Sequence, residues 1–378
     1  MVGGSLEAFI GAVHRRAAAL DSQIDLVCGA FSSNPEKSKA TGESLFLPEN
    51  RVYGSWEEMI KSEAELPEGE RMDCVSIVTP NHVHAAPAMM AMEHGFHVIV
   101  DKPLCFSMEE AYALEAKAKE AGVLFALTHT YTGYPMIKQA KAMIANGELG
   151  EVRKVYVEYP QGWLSTNLEK EGQKQAGWRT DPSRSGKGGS IGDIGTHAAN
   201  MAEYVSGLNI TSLSAETKIF VEGRQLDDDA SMLLRFENGA TGVLMCSQVA
   251  AGAENNIKVR VYGEKGGVEW EQEDNNSLLV KWLGKPRQIY RTGGENAYLS
   301  EHALANTRLP AGHPEGYFEA FANIYRNFAF AIQARLTGEE IDSAIYDFPT
   351  VEEGVHGMLF VEKVVESAES NGRWVEVE

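Results

Sequence analysis

The sequence predicts an α/β protein of two domains. Residues 1–128 read as a Rossmann-type doubly wound parallel sheet with a truncated first strand, and residues 129–378 as an α+β domain on a large, mostly antiparallel open sheet. Three observations predict this. Up to Thr128, short apolar runs alternate with helical patterns, which requires parallel strands joined by right-handed crossovers. Beyond His129, long β-rich segments follow one another, separated by hairpin signals. Finally, 378 residues exceed what one core usually serves, and 43% hydrophobic with 9% aromatic residues can bury two.

The first domain opens on Gly3-Gly4-Ser5-Leu6-Glu7-Ala8-Phe9-Ile10-Gly11, followed by a helical pattern to Leu20. A glycine-rich turn that opens a helix can hold a pyrophosphate on backbone N–H groups, so Gly3, Gly4 and Gly11 are candidate cofactor contacts. Only Met1 and Val2 precede the turn, where a strand of about 5–6 residues is usual. The expectation is therefore a start cut short upstream, or an internal methionine taken as the first residue. Ile24 to Phe31 reads as a strand, and Pro35 to Thr41 and Trp56 to Ala64 as helices. The apolar run Met72 to Val78 ends in Thr79-Pro80-Asn81 and precedes the helix Ala85 to His94. The next strand, His97 to Val100, ends at Asp101-Lys102-Pro103, and a helix Ser107 to Ala121 and a strand Val123 to Thr128 complete the domain. Lys102 thus lies just beyond the carboxyl end of a parallel strand, where open α/β sheets bind ligands, and Pro103 restricts its backbone to an extended geometry.

In the second domain a helix, Pro135 to Asn146, is closed by Gly147. Strands follow over Glu151–Tyr159, Ser212–Val221, Ala230–Phe236, Ala240–Val249, Ile257–Gly263 and Gly267–Glu271, and late helices over Phe318–Ala334 and Val351–Ser367. These helices are too few to cover both faces of such a sheet. One face, read from Val243, Met245 and Ser247 alternating with Leu244 and Cys246, needs a partner, and a homodimer or homotetramer packed sheet against sheet is expected.

Charge narrows the partners. A formal net charge of -20 disfavours nucleic acid and anionic membranes, because phosphate contacts need clustered Lys and Arg, and no apolar run reaches the length of a membrane span. A small molecule is the expected partner. Cys28, Cys74, Cys105 and Cys246 form no CxxC pair and read as reduced thiols of a cytoplasmic protein; no His/Cys cluster calls for a metal.

The richest segment is Gly188-Gly189-Ser190-Ile191-Gly192-Asp193-Ile194-Gly195-Thr196-His197. At helical spacing Ile191, Ile194, Ala198, Met201, Ala202 and Val205 form an apolar stripe, and Asp193, His197, Asn200 and Tyr204 a polar face looking into one space. A helix N-terminus favours the charge on Asp193, and Asp193 favours protonated His197, so the face is suited to accepting and returning a proton. Such a face is often merely solvated. The strand-end lysine upstream shifts the weighing toward chemistry.

The series Thr79-Pro80-Asn81-His82-Val83-His84, Asp101-Lys102-Pro103, Trp178-Arg179 and Gly188 to His197 resembles, in order and over essentially the whole chain, the glucose-fructose oxidoreductase and inositol dehydrogenase (Gfo/Idh/MocA) family. The resemblance implies that Lys102, Asp193 and His197 are the catalytic set. Asp101 stands where the family usually has Glu, a shorter acid at a cofactor contact. It implies further that Thr79, Asn81 and His84 line the path to the nicotinamide, and that the protein forms dimers or tetramers. The cofactor is NAD or NADP. No acid ends the second strand to hold a ribose 2′-hydroxyl, whereas Ser32, Ser33 and Lys37 are available for a 2′-phosphate, which tilts the reading toward NADP. Tyr131 at the domain junction, Trp178 and Arg179 in the long loop Trp163 to Lys187, and His313 before a late helix are candidate substrate contacts, with Arg179 and Tyr131 ranked above His313.

The expected reaction is hydride transfer between a nicotinamide and a secondary alcohol or ketone of a sugar, inositol or related polyol. His197 would act as base, Lys102 would polarise the reacting oxygen, and Asp193 would orient the site. Alternatives are a glycosidase that uses held NAD as a transient redox aid, and a non-catalytic sugar or nucleotide sensor.

Overall fold

Parallel strands in the first part of the chain end in one row, and that row sets out the cofactor side. The structure, a computed structural model, describes residues 1–378. The elements here are β1 (Val2–Gly3), α1 (Phe9–Leu20), α2 (Pro35–Ser44), α3 (Trp56–Ala64), β2 (Cys74–Val78), α4 (Ala85–Glu93), β3 (His97–Val100), α5 (Met108–Ala121) and β4 (Phe125–Leu127). The sheet runs β1-β2-β3-β4, all parallel, and its register aligns Val2, Ile77, Val100 and Leu127. Ile77, Val98, Ile99 and Val100 are fully buried, as expected of strands covered on both faces. Helix starts follow their caps: Asn34 accepts the Lys37 N–H, Ser55 that of Glu58 and Ser107 that of Glu110, and Gly122 closes α5 with φ 65°.

Two expectations need correction. Ile24 to Phe31 forms no strand; only isolated parallel bridges remain, Val2 to Ala30 and Gly29 to Val52. Its polar backbone pairs with Met1 and Gly3 on one side and Arg51 and Tyr53 on the other, and the Phe31 N–H turns to the Ser38 hydroxyl. The second correction concerns the domain limits. The chain divides into Met1–Thr130 with Phe321–Val355, and Tyr131–Ala320 with His356–Glu378, so part of the late chain given above to the second domain belongs to the first unit. The reason is at the sheet edge: the Leu127 N–H donates to the Pro349 carbonyl (2.8 Å), and Thr350 bridges Ala126 antiparallel.

The second unit begins with α6 (Pro135–Ala145) and β5 (Val152–Pro160), followed by two short helices, α7 (Lys174–Arg179) and α8 (Pro182–Ser185). A π-helical turn, Ile191–Gly195, runs into α9 (Thr196–Ser206). The strands are β6 (Ile210–Lys218), β7 (Asp229–Phe236), β8 (Thr241–Ser247), β9 (Lys258–Gly263), β10 (Gly266–Glu271), β11 (Ser277–Trp282) and β12 (Gln288–Arg291). After these come α10 (Glu301–Ala305), α11 (Tyr317–Thr337), α12 (Val351–Glu369) and β13 (Val375–Glu376); the unit boundaries fall inside α11 and α12. Strand order is β12-β11-β10-β9-β5-β8-β7-β6-β13, antiparallel throughout except the parallel pair β5 and β8. Strands β11, β12 and β13 had no counterpart in the sequence reading.

Alternation along β8 decides the two faces of this sheet. Leu244 and Cys246 are fully buried in the core formed with α6 and α9. Val243 and Met245 point the other way, in register with Leu233 and Ser231 of β7, and Leu233 is 51% exposed. Ion pairs of Arg260 with Glu158 and of Lys281 with Glu269 share that outer face. No helix is long and apolar enough to cross a membrane.

Candidate active site

The glycine turn has the shape a dinucleotide pyrophosphate needs. Gly3 (φ +80°) and Gly4 (φ +75°) adopt left-handed backbone, and a Cβ on Gly11 would lie 2.3 Å from the Gly4 Cα, so the turn and α1 touch through bare backbone. No side chain caps α1, which leaves its first N–H groups without a side-chain acceptor. Beside the turn, the buried Thr79 hydroxyl has no hydrogen-bond partner. The residues present therefore fit NAD.

Two turns at neighbouring strand ends frame Lys102. The Asp101 Oδ1 accepts the Lys102 N–H (2.9 Å) and the Thr128 hydroxyl (2.9 Å), and the Lys102–Pro103 peptide is cis. His84 is buried, with Nε2 2.8 Å from the Thr79 carbonyl and Nδ1 2.9 Å from the Pro103 carbonyl. Expected on the nicotinamide path, His84 instead ties the two turns together, because both ring nitrogens face backbone. Burial pushes its pKa down against the pull of Asp101 and the carbonyls. His129, also buried, is pushed down to about 3 by burial and then by the charge of Lys102. Asn81 is buried and opens the short 3-10 turn after β2.

Two of the three expected phosphate receivers are engaged within the protein. The Ser32 hydroxyl accepts the Asn34 N–H (3.1 Å), Ser33 lies exposed beside it, and the Lys37 ammonium pairs with Glu7 (3.0 Å).

In the second unit Asp227 organises the π turn. Its carboxylate accepts the N–H of Gly189 (2.6 Å) and of Ile191 (2.9 Å) and the Ser190 hydroxyl (2.6 Å), and burial raises its pKa against those bonds. Asp193 follows on the turn. Its Oδ2 accepts from the Arg179 Nε (3.1 Å) and the Gln248 amide (2.8 Å). Arg179 is held over the Trp178 ring at 4.3 Å, with Trp163 at 5.9 Å. Trp178 and Arg179, expected to meet substrate, build the support of Asp193.

His197 is buried, and its ring meets the edge of Tyr131 at 4.9 Å. The Tyr131 hydroxyl bonds to that of Tyr159 and accepts from the Asn255 amide (3.2 Å), while Gln161 donates to Asn255 and accepts from the Trp163 indole (3.0 Å). Burial raises the pKa of both phenols, so they remain neutral donors and acceptors. A run of neutral hydrogen-bonding groups therefore lies beside His197.

Two further placements differ from expectation. Tyr204 does not simply continue the polar face of Asp193 and His197: Lys141 lies 3.9 Å and Lys138 5.4 Å from its ring centre. The π turn breaks the 3.6-residue spacing assumed for the whole segment. His313 is exposed in a turn closed on the Pro310 carbonyl (3.2 Å), and the buried acid of that loop is Glu315. Sequence reasoning missed Asp227, Gln248, Gln161, Tyr159 and Asn255. Only Gln248 and Tyr159 carry a positional signal, as polar residues ending or following apolar strands.

Comparison with known proteins identifies the family. Residues 1–129 match the "Oxidoreductase family, NAD-binding Rossmann fold" profile and residues 137–269 the "GFO/IDH/MocA C-terminal domain" profile. The uncharacterized oxidoreductase YfiI of Bacillus subtilis (strain 168) is 34% identical over 100% of this chain and 95% of its own length. An oxidoreductase from Sinorhizobium meliloti superposes with TM-score 0.89 at 47% identity, covering 99% of this chain and 98% of that one. An inositol dehydrogenase homolog from Azotobacter vinelandii, complexed with NAD+, gives TM-score 0.93 at 38% identity, covering 100% and 96%; the same homolog is also solved with NADH and myo-inositol. The chain belongs to the Gfo/Idh/MocA family of NAD-binding oxidoreductases.

Proposed function

We propose that this protein is an NAD-dependent dehydrogenase that oxidises a ring hydroxyl of an uncharged polyol, an inositol or a sugar, to the ketone. The observation that carries the proposal is Asp193, anchored by Arg179 and Gln248, at the start of the segment that sets His197 against a neutral floor of Tyr131, Tyr159, Asn255 and Gln161. Groups that donate and accept without charge suit hydroxyls. The Azotobacter homolog with bound myo-inositol supports the same substrate class.

NAD, when bound, supplies the hydride acceptor, and the chain's own residues manage the proton. His197 takes the hydroxyl proton as the C–H bond breaks. Lys102 polarises the same oxygen and stabilises developing alkoxide charge, and Asp193 orients the site through its fixed hydrogen bonds. NAD is favoured over NADP, contrary to the tilt drawn from sequence, because Lys37 is neutralised by Glu7. The outer sheet face around Leu233, Val243 and Met245 is the proposed oligomer contact, and sedimentation as a monomer at micromolar concentration would refute it.

The test is a panel of inositols and neutral sugars scored by nicotinamide absorbance, with NAD and with NADP. The expected result is net reduction of NAD by at least one cyclic polyol. Glycosidic cleavage without net cofactor reduction, or binding without turnover, overturns the proposal.

A further inference from the structure

Beneath Lys102 lies a buried group that the mechanism above does not use. His14, on α1, is wholly inaccessible to solvent. Its Nδ1 is 2.7 Å from the Tyr325 hydroxyl, which is in turn 2.8 Å from the Ser76 hydroxyl. Its Nε2 has no hydrogen-bond partner and faces the Asp101 Oδ1 at 3.7 Å. That same oxygen receives the Lys102 N–H and the Thr128 hydroxyl.

We infer that His14 is a positioning residue for Lys102, acting through Asp101. The inference rests on Lys102 being the catalytic lysine. The direction of the chain follows from chemistry. The Asp101 carboxylate can only accept, so the ring proton sits on Nε2 and points at it; Nδ1 then accepts from the Tyr325 hydroxyl, whose oxygen accepts from Ser76. A buried carboxylate without such a neighbour takes up a proton, and its oxygens then cease to be equivalent acceptors for the Lys102 backbone. Burial pushes the Asp101 carboxyl up, but His14, then Lys102 and His84, outweigh it and hold the group well below the usual carboxylate range. The titratable groups around Asp101 are His14 from α1, His84 from the turn before α4, Lys102 itself, His129 after β4 and Tyr325 from α11. Of these, only His14 presents a ring nitrogen with no other partner to the carboxylate oxygen that holds Lys102. The aromatic contacts of His14 with Phe321 (4.7 Å) and Tyr325 (5.8 Å) fix its ring plane, so the approach to Asp101 is preset.

The experiment is the pH profile of kcat for His14→Leu, His14→Gln, Tyr325→Phe, Asp101→Asn, the double variant His14→Leu/Asp101→Asn, and Lys102→Ala. His14→Leu should lower kcat about 10-fold at neutral pH with little change in polyol KM, and should add an acid limb as Asp101 takes up a proton. His14→Gln, whose amide still donates to Asp101, should stay within about 3-fold of wild type without the new limb. Tyr325→Phe keeps the ring, releases the tautomer and should show the same limb more weakly, which serves if His14→Leu fails to fold. The double variant should be no slower than Asp101→Asn alone. An unchanged acid limb in both His14→Leu and Tyr325→Phe, or losses that multiply in the double variant, would overturn the inference. Near wild-type turnover in Lys102→Ala would instead overturn the catalytic reading and the inference with it; an inactive Lys102→Ala beside unchanged profiles defeats the inference alone.

Discussion

Lys102 and the pair Asp193 and His197 are held in different ways. In the first unit the lysine stands on a turn fixed by groups at neighbouring strand ends: Asp101 accepts the lysine's own N–H, Thr128 closes on Asp101, and His84 joins the Thr79 and Pro103 carbonyls. In the second unit Asp193 and His197 depend on side chains from distant segments, Arg179 and Gln248 on the acid and Tyr131 against the imidazole. Side chains closing on the backbone groups of strand-end turns give a rigid placement. Side chains meeting across a sheet give a placement that a single substitution can loosen without touching the fold.

The largest expected effect tests whether both halves belong to one site. Lys102→Ala and His197→Ala should each lower kcat on the order of 10²-fold or more, with circular dichroism unchanged. Wild-type turnover in either removes that residue from the mechanism. Gln248→Leu should cost less, about 10-fold, because Arg179 still holds the same Asp193 oxygen. A loss in Gln248→Leu as large as in His197→Ala would mean that the amide itself meets the reacting atoms, and the contrast between the two modes of support would fail.

That contrast also explains what the sequence made legible. Strand ends, glycine turns and caps are local, so Gly3, Gly4, Gly11, Lys102 and the helix starts at Pro35, Trp56 and Met108 could be read along the chain. The strand expected over Ile24 to Phe31 failed for a non-local reason, since a strand needs neighbours along its length and Met1–Gly3 and Arg51–Tyr53 supply only short ones. The π turn was invisible because it arises where Asp227, from a loop before β7, takes the N–H groups of Gly189 and Ile191. No periodicity in residues 188–206 encodes that carboxylate. Gln161, Gln248 and Asn255 are ordinary polar residues until the sheet brings β5, β8 and the segment before β9 together.

Acid should separate the two units. His97 is held down to about 4 by burial and then by Arg335, and its neutral Nδ1 accepts the Leu124 N–H (2.9 Å); His129 is held lower still. Histidines depressed in the fold stabilise it above their unfolded pKa of about 6.5, and that contribution is lost as pH falls toward the folded values. His356 has the opposite sign. Its hydrogen bond to Glu203 raises its pKa, so its contribution is full below about 6.5 and is lost as pH rises through the raised value. Between pH 7 and pH 5, hydrogen exchange should quicken in β3 and β4 while α9, which carries Glu203, keeps or gains protection. Uniform change across both units would break the distinction.

The smallest expected effect lies at the turn after Phe31, where the first unit relies on an exposed side-chain pair. Glu7 and Lys37 pair at 3.0 Å, with 62% and 53% of their side chains exposed. An exposed pair of this kind is worth roughly 0.2–1 kcal/mol, so it can bias cofactor choice by only a few-fold. The bias has a definite sign. Glu7 pairs with Lys37, a cation near the Ser32 and Ser33 turn that could meet a 2′-phosphate, and its own charge repels that dianion. Glu7→Gln should therefore raise kcat/KM with NADP relative to NAD by about 2- to 5-fold and leave the NAD value nearly unchanged. Adding Lys37→Ala should cancel the gain, and the shift should shrink in high salt because both groups are solvated. A cofactor ratio that stays fixed in Glu7→Gln would place the ribose away from this pair, and NADP discrimination would then rest on the backbone of the turn at Ser32 to Asn34.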